Sequence, residues 1–270
     1  MQCGVDLLKY PKKMAQICPL CGTEHPIFIQ GIVRNPEKER MFLPVLDRGY
    51  SFCNCRNIFF TDWSNMDSRV YDEGYHDKYQ TKESTEAIRR YSEYFPLMIE
   101  HKAIESFAEI GAINTALLDE AKEMGWKTTG IDINPNAKSD KHEIMIWDVE
   151  SGLNGDYGRA MTDTFDVIFA SHIFEHFKDP LKVAKNLKAA LNDSGLLFVA
   201  MPDPWFIDWT RPHTWVHWHL REHHILWDME SFIEALEELG YKCVFSKRND
   251  TPKFTCWGDY HLLFQKVTNA

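Results

Sequence analysis

The chain has no apolar run of about 18 residues, so no membrane-spanning helix is expected. Its first residues, MQCGVDLLKYPKKMAQ, lack the long apolar stretch of a secretory signal. That predicts a cytoplasmic chain with reduced thiols and no membrane partner. Basic charge is in deficit: 30 Lys and Arg against 40 Asp and Glu give a net charge of −10. An acidic body repels a phosphate backbone, so no nucleic-acid partner is expected. The deficit is uneven, since residues 1–60 carry 8 basic and 5 acidic groups and the remainder 22 and 35. Internal repeats and low-complexity tracts are absent, as is the GxGxxG of dinucleotide-binding folds. What is there is globular: 270 residues, 44% hydrophobic and 26% charged, enough for one large domain or two modest ones.

Cysteine is scarce beyond residue 55, where only Cys243 and Cys256 occur, both in strand-like patterns that suggest core. The rest crowd the turn-rich N-terminal segment. Cys18-Pro-Leu-Cys21-Gly22 is a CxxC knuckle, and Cys53-Asn-Cys55 follows after 31 intervening residues. Two thiolate pairs separated by a hairpin-sized insert suit one tetrahedral zinc, which a segment with little core needs for stability. Cys18, Cys21, Cys53 and Cys55 are the expected ligands. Cys3 or His25 could replace one of them, and unrelated thiols are the plain alternative.

From Ser84 the spacing is helical, with Pro96 expected to interrupt it. Strand and helix patterns then alternate. Strands are predicted at Ser106–Ile110, Thr128–Ile131, Glu143–Trp147, Phe165–Ala170, Leu196–Ala200, Tyr241–Ser246 and Cys256–Gln265. Helices are predicted at Asn114–Met124, Pro180–Leu191 and Met229–Leu239. Such alternation implies an α/β fold, a largely parallel sheet covered on both faces. A strand ending Glu109-Ile-Gly111 and a second ending at Asp132 place two carboxylates at strand ends, where ribose hydroxyls bind in nucleotide folds.

The runs FAEIGAINTALLDEAKEMGWKTTGIDINPNA and FDVIFASHIFEHFKDPLKVAKNLKAALNDSGLLFVAMPDP make the chain resemble the class I S-adenosylmethionine-dependent methyltransferases. With the cysteine ribbon and the Tyr-rich YDEGYHDKY in front, it looks like the sugar C-methyltransferase group and its relatives. The resemblance implies a Rossmann-like methyltransferase sheet with a zinc-ribbon subdomain at residues 1–65. A linker and leading helix would fill 66–105, and the methyltransferase domain 106–270, with an acceptor insert at 202–227. It also implies cofactor roles. Gly111 would let the main chain approach the methionine end, Asp132 would take the ribose hydroxyls and Asp148 the adenine edge, with Glu109 and Ile133 also among the cofactor-binding residues. Ser171 and His172 would line the methyl-transfer side. Where the family has further glycines in the first loop, this chain has Ile113 and Thr115.

The insert PDPWFIDWTRPHTWVHWHLREHHILWD holds much of the tryptophan and histidine of the chain. Trp gives flat apolar walls suited to sugar rings, or seals the core edge. Glu222-His223 resembles the Glu-His pair of the sugar C-methyltransferases, so His223 is the expected base, Glu222 its orienting partner and His172 the second candidate. Leu220 stands where that group has a Tyr. His213, His217, His219 and His223 match no standard metal spacing, and His176 reads as a structural hydrogen-bonder. The function expected is S-adenosylmethionine-dependent methyl transfer to a small-molecule acceptor, a sugar nucleotide or saccharide. The competing readings are a catalytically silent binding module and a nicotinamide oxidoreductase, the latter disfavoured by the missing GxGxxG.

Overall fold

The computed structural model describes residues 15–26, 29–34, 42–61, 80–112, 114–152, 164–208, 215, 217–218, 222–249 and 258–268. The chain opens with a hairpin of β1 (Ala15–Ile17) and β2 (Glu24–Pro26). β3 (Ile29–Arg34), β4 (Phe42–Cys53) and β5 (Ile58–Phe60) follow as an antiparallel meander. The first helical segment divides as the proline requires. α1 (Lys82–Arg89) is capped by Thr81, whose side chain accepts the Ser84 N–H. A 3-10 turn at Arg90–Tyr94 leads into α2 (Phe95–His101), with Pro96 in the first turn, where its missing N–H costs nothing.

The central sheet has seven strands. β6 (Ser106–Ile110), α3 (Ala116–Glu123), β7 (Lys127–Asp132), β8 (Glu143–Ile146) and β9 (Phe165–Ser171) come first. α4 (Pro180–Ala190) and β10 (Leu191–Pro202) continue, then β11 (Ile225–Trp227), α5 (Met229–Glu238), β12 (Tyr241–Arg248) and β13 (Asp259–Lys266). The order is β12-β13-β10-β9-β6-β7-β8, and only β13 runs against its neighbours. β9 is apolar from Val167 to Ala170 and buried from Phe165 to Ala170, as suits a central strand. The strand order reverses between β6 and β9, and ligands of open α/β sheets bind at the strand ends beside that reversal.

Helix boundaries follow their caps. Asn114 Oδ1 accepts the Ala116 N–H at 3.1 Å, and Gly125, at φ +85°, ends that helical segment. Asp179 and Asp228 cap α4 and α5 through the N–H groups of Lys182 and Ser231. One helix end is moved by tertiary pairing. The helix predicted to run through Leu191 stops at Ala190, because Leu191 already pairs with Phe165 on β9. The strand then bulges through Ser194, at φ +56°, and resumes its ladder at Leu196.

The sheet is packed on both faces. One face buries Val183 and Leu187 of α4 and Phe232 and Leu236 of α5, together with Ile58 and Phe60 of β5. The other buries Tyr94, Phe95 and Met98 with Leu117, Leu118 and Trp126. The N-terminal meander is joined to the rest by main chain as well as by core, because β11 pairs antiparallel with β5. A strand from the end of the expected acceptor insert thus completes the N-terminal sheet. Among the described residues no helix is long and apolar enough to cross a membrane.

Candidate active site

The ends of β6, β7 and β8 form one half of the site. Glu109, the fourth residue of β6, is buried, and its Oε2 has no hydrogen-bond partner. Burial alone pushes its carboxyl up to about 8. Gly111 follows at φ +74°, donating its N–H to the Ile131 carbonyl at 2.7 Å. A Cβ there would meet Ile173 Cδ1 at 3.2 Å, so strain and space both favour glycine. Asp132 ends β7, buried, with Oδ1 accepting the Asn134 N–H at 2.8 Å. Beside it Ile133 is half exposed (51%), an apolar surface next to a carboxylate. Asp148, just beyond β8, turns the chain by accepting the Glu150 N–H at 3.0 Å. These residues stand on adjacent strand ends, as the sequence predicts. Ile113 lies outside the described residues.

The other half begins where β9 ends. Ser171 stands beside the Tyr91 side chain. His172 follows at φ +51°, a left-handed conformation costly for a side-chain-bearing residue, held by its N–H on the Ala200 carbonyl at 2.9 Å. Its Nδ1 lies 3.5 Å from Glu175 Oε1 and its Nε2 3.7 Å from Asp259 Oδ2. Burial works against charge on this ring, but Asp259 and Glu175 outweigh it and hold His172 up at about 9. Both ring nitrogens of His172 thus face carboxylates, which favours the protonated ring. Asp259, despite burial, is held well below the usual carboxylate range by His172 and His261.

The line of polar groups runs on in both directions. His261 Nε2 meets Asp259 Oδ2 at 3.2 Å, and its Nδ1 meets the Tyr94 hydroxyl at 2.6 Å. On the other side Glu175 Oε1 lies 3.8 Å from His223 Nε2. His223 is buried, its Nδ1 2.9 Å from the His217 carbonyl. His217 stacks on His172, with ring centroids 5.1 Å apart. The carboxylate facing His223 is therefore Glu175, from a distant turn, where the sequence suggested the adjacent Glu222.

The N-terminal strands hold this half in place. The Tyr50 hydroxyl of β4 donates to the His223 carbonyl at 2.9 Å, and the Thr61 N–H to the His224 carbonyl at 2.9 Å. The His224 N–H reaches the Glu175 carbonyl at 2.7 Å. The loop after Cys55 sits on α5, with Asn57 Nδ2 on Ser231 Oγ at 3.0 Å and Arg56 paired with Glu238. Just before that loop the four cysteine sulfurs converge. Cys18 Sγ lies 3.6 Å from Cys55 Sγ and Cys21 Sγ 3.6 Å from Cys53 Sγ, and all four fall within 4.8 Å of one another. His25 instead packs its ring against Phe60, at 6.1 Å between centroids. Cys3 and Cys256 lie outside the described residues, and Cys243 is half-buried on β12.

Sequence reading missed Glu175, Asp259, His261, Tyr94 and Tyr50. Asp259 and His261 stand two apart on one strand, so the strand period puts them on one face, a signal that was present. Tyr50 offered none, because its partner is 173 residues away. His213, His219 and Leu220 lie outside the described residues, as do Trp209 and Trp257.

Residues 79–245 match the family described as a methyltransferase domain. No curated protein sequence matches the chain. Among solved structures, an S-adenosylmethionine-dependent methyltransferase from Archaeoglobus fulgidus is 16% identical, covers 72% of this chain and 100% of its own, and has a TM-score of 0.55. The Burkholderia thailandensis 1,6-didemethyltoxoflavin N1-methyltransferase, with bound 1,6-didemethyltoxoflavin and S-adenosylhomocysteine, is 14% identical, covers 72% and 84%, and scores 0.51. The plantazolicin methyltransferase in complex with S-adenosylhomocysteine is 14% identical, covers 72% and 88%, and scores 0.52. At these identities the likeness to solved structures is one of fold. The family match spans more than half of the chain, which therefore belongs to the methyltransferase-domain family, with the Rossmann-like fold of the class I S-adenosylmethionine-dependent enzymes.

Proposed function

We propose that the chain transfers a methyl group from S-adenosylmethionine to a hydroxyl or acidic C–H of a small-molecule acceptor, a sugar nucleotide or saccharide. One observation carries this reading. A carboxylate-lined half (Glu109, Asp132, Asp148) stands at strand ends on one side of the β6/β9 reversal, and an imidazole–carboxylate half (His172, Glu175, His223) gathers beyond the end of β9 on the other. That is the arrangement a nucleoside donor and a separate acceptor require.

The residues of the first half fit the cofactor. Glu109 keeps a buried oxygen without a partner, and Gly111 leaves room that a side chain would take. Glu109 and Gly111 would hold the methionine end, Asp132 the ribose hydroxyls through charge-assisted hydrogen bonds, Asp148 the adenine edge, and Ile133 its flat face. The bound cofactor supplies an electrophilic methyl on a sulfonium, and the protein supplies proximity and alignment. Ser171 and His172, at the end of the adjacent strand, would bound the methyl-transfer side.

A hydroxyl acceptor must also lose a proton. His223 and Glu175 are the Lewis-basic groups of this half, and Glu175 replaces Glu222 as the partner of His223. Supporting a sugar-like acceptor is Trp205, exposed (71%) beside Arg248 at 5.8 Å, whereas Trp215, Trp218 and Trp227 are buried and seal the core. The four cysteines fit a zinc. Sulfurs about 2.3 Å from one tetrahedral ion stand about 3.8 Å apart, close to the 3.6 Å found. Cys18, Cys21, Cys53 and Cys55 would hold it as a structural ion that fixes the N-terminal strands.

The test is methyl transfer from labelled S-adenosylmethionine to a panel of sugar nucleotides, free saccharides, amines and thiols. Labelled product is expected with at least one hydroxyl-bearing sugar. Labelling of amines or thiols alone would overturn the sugar acceptor.

A further inference from the structure

The buried turn after β9 carries a feature that methyl transfer by alignment alone does not explain. Glu175 is completely buried, yet neither carboxylate oxygen has a hydrogen-bond partner. His172 Nδ1, 3.5 Å from Oε1, is one charged neighbour, and it leaves both oxygens without a hydrogen bond and open to a further cationic partner. Phe174, also fully buried, wedges the turn against Phe232 at 5.4 Å and fixes where Glu175 points. Around that carboxylate stand the imidazoles of His172, His176 and His223, with the phenols of Tyr50, Tyr91 and Tyr260 also near.

His223 is oriented in a telling way. A carbonyl oxygen can only accept, so the 2.9 Å contact with the His217 carbonyl makes Nδ1 the donor. In the neutral ring, Nε2 then presents a lone pair toward Glu175 Oε1, 3.8 Å away. Two electron-rich atoms at that distance are too far apart for a hydrogen bond and well placed to share a cation. Ligand atoms about 2.1 Å from one ion lie roughly 3.0–4.2 Å apart. A backbone carbonyl on the far nitrogen is the usual way a metal-binding histidine is fixed. The third member is His176, whose ring stands at 90° to that of His223 with centroids 4.8 Å apart. One ligand atom each from Glu175, His176 and His223 lies within 4.8 Å of the others.

We infer that Glu175, His176 and His223 form a divalent-cation site on the acceptor side, distinct from the cysteine site, and that the ion takes a hydroxyl oxygen of the acceptor as a further ligand. The inference rests on the methyl-transfer reading for its role. Two imidazoles and one carboxylate suit manganese, iron(II), cobalt(II) or zinc better than magnesium or calcium. A bound cation lowers the pKa of a coordinated hydroxyl. The acceptor O–H then releases its proton to solvent, and the oxygen forms a bond to the sulfonium methyl. The carbon–sulfur bond breaks with its electron pair going to sulfur, leaving a methyl ether and S-adenosylhomocysteine. The ion thus stands where a histidine base was expected from the sequence, and His223 holds it.

The test uses the full chain with its cysteine site filled by zinc. Manganese, which disfavours thiolates, is titrated in and followed by loss of the free-ion electron paramagnetic resonance signal. The expected result is about one manganese bound per chain, a closed count for one three-residue site. Glu175→Gln and His176→Ala should each weaken uptake at least ~10-fold, while S-adenosylhomocysteine binds all three proteins alike. Wild-type protein that binds S-adenosylhomocysteine but takes up no manganese, cobalt(II) or additional zinc overturns the site. So do variants that take up manganese as tightly as wild type. Should a variant fail to fold, wild-type uptake alone decides. Manganese uptake without S-adenosylhomocysteine binding would sustain the cation site and overturn the methyl-transfer reading.

Discussion

The two halves of the proposed site, one for the cofactor and one for the acceptor, are built on different principles. The cofactor half is local to the sheet: Glu109, Gly111, Asp132 and Asp148 lie on or just past three neighbouring parallel strands. The acceptor half is assembled from four distant stretches, with Tyr50 and Thr61 from the N-terminal strands, Glu175 from the turn after β9, His223 from the insert and Asp259 from β13. A nucleoside cofactor asks the same of every fold of this kind, so strand ends suffice. An acceptor is specific to one enzyme, and the groups proposed for it here come from separate segments of the chain. The N-terminal strands are part of the second arrangement, since β5 pairs with β11 and Tyr50 fixes the main chain at His223.

Substitutions should separate the halves. The largest effect is expected from His223→Ala. Loss of a group that manages the acceptor proton, directly or through a cation, should cut turnover by about 10²–10⁴-fold. S-adenosylhomocysteine affinity, measured on the same protein, should stay at the wild-type value. A parallel loss of cofactor affinity would show that the halves are not separate.

Cys53→Ser tests whether the acceptor half leans on the N-terminal strands. Zinc should be released, and the melting temperature should fall by about 10 °C, as for loss of a few kcal/mol in a chain of this size. Acceptor KM should rise more than cofactor Kd. Metal analysis that finds no zinc in a wild-type protein of unchanged stability would break this part of the comparison. The smallest effect belongs to Tyr50→Phe. It strands a buried carbonyl and should cost about 1–2 kcal/mol in denaturant unfolding. It should also slow turnover modestly through His223, while S-adenosylhomocysteine binding holds.

Legibility in the sequence follows the same division. The strands and helices of the sheet could be read because apolar runs, Asp and Asn caps and helix-ending glycines are local signals, and β6 falls on its predicted residues. The boundary that moved, at Leu191, moved because pairing with Phe165 ended the helix earlier than its own sequence would. The strand-end placement of Glu109, Asp132 and Asp148 was legible because it is itself a local property. Glu175 was not, although it lies in the recognised Glu-His-Phe-Lys-Asp-Pro run, because what marks it is burial among imidazoles from other segments. Glu222 drew attention by adjacency to His223, and adjacency in sequence says little about which carboxylate faces a ring.

The most direct test of the account is calorimetric titration of S-adenosylhomocysteine into wild type, Asp132→Ala and His223→Ala. One site per chain is expected in the wild type. Asp132→Ala should bind about 1–3 kcal/mol more weakly through loss of charge-assisted hydrogen bonds to the ribose, and His223→Ala should bind as wild type does. A folded wild-type protein that gives no binding heat at any temperature tried, or an Asp132→Ala variant of undiminished affinity, would contradict it.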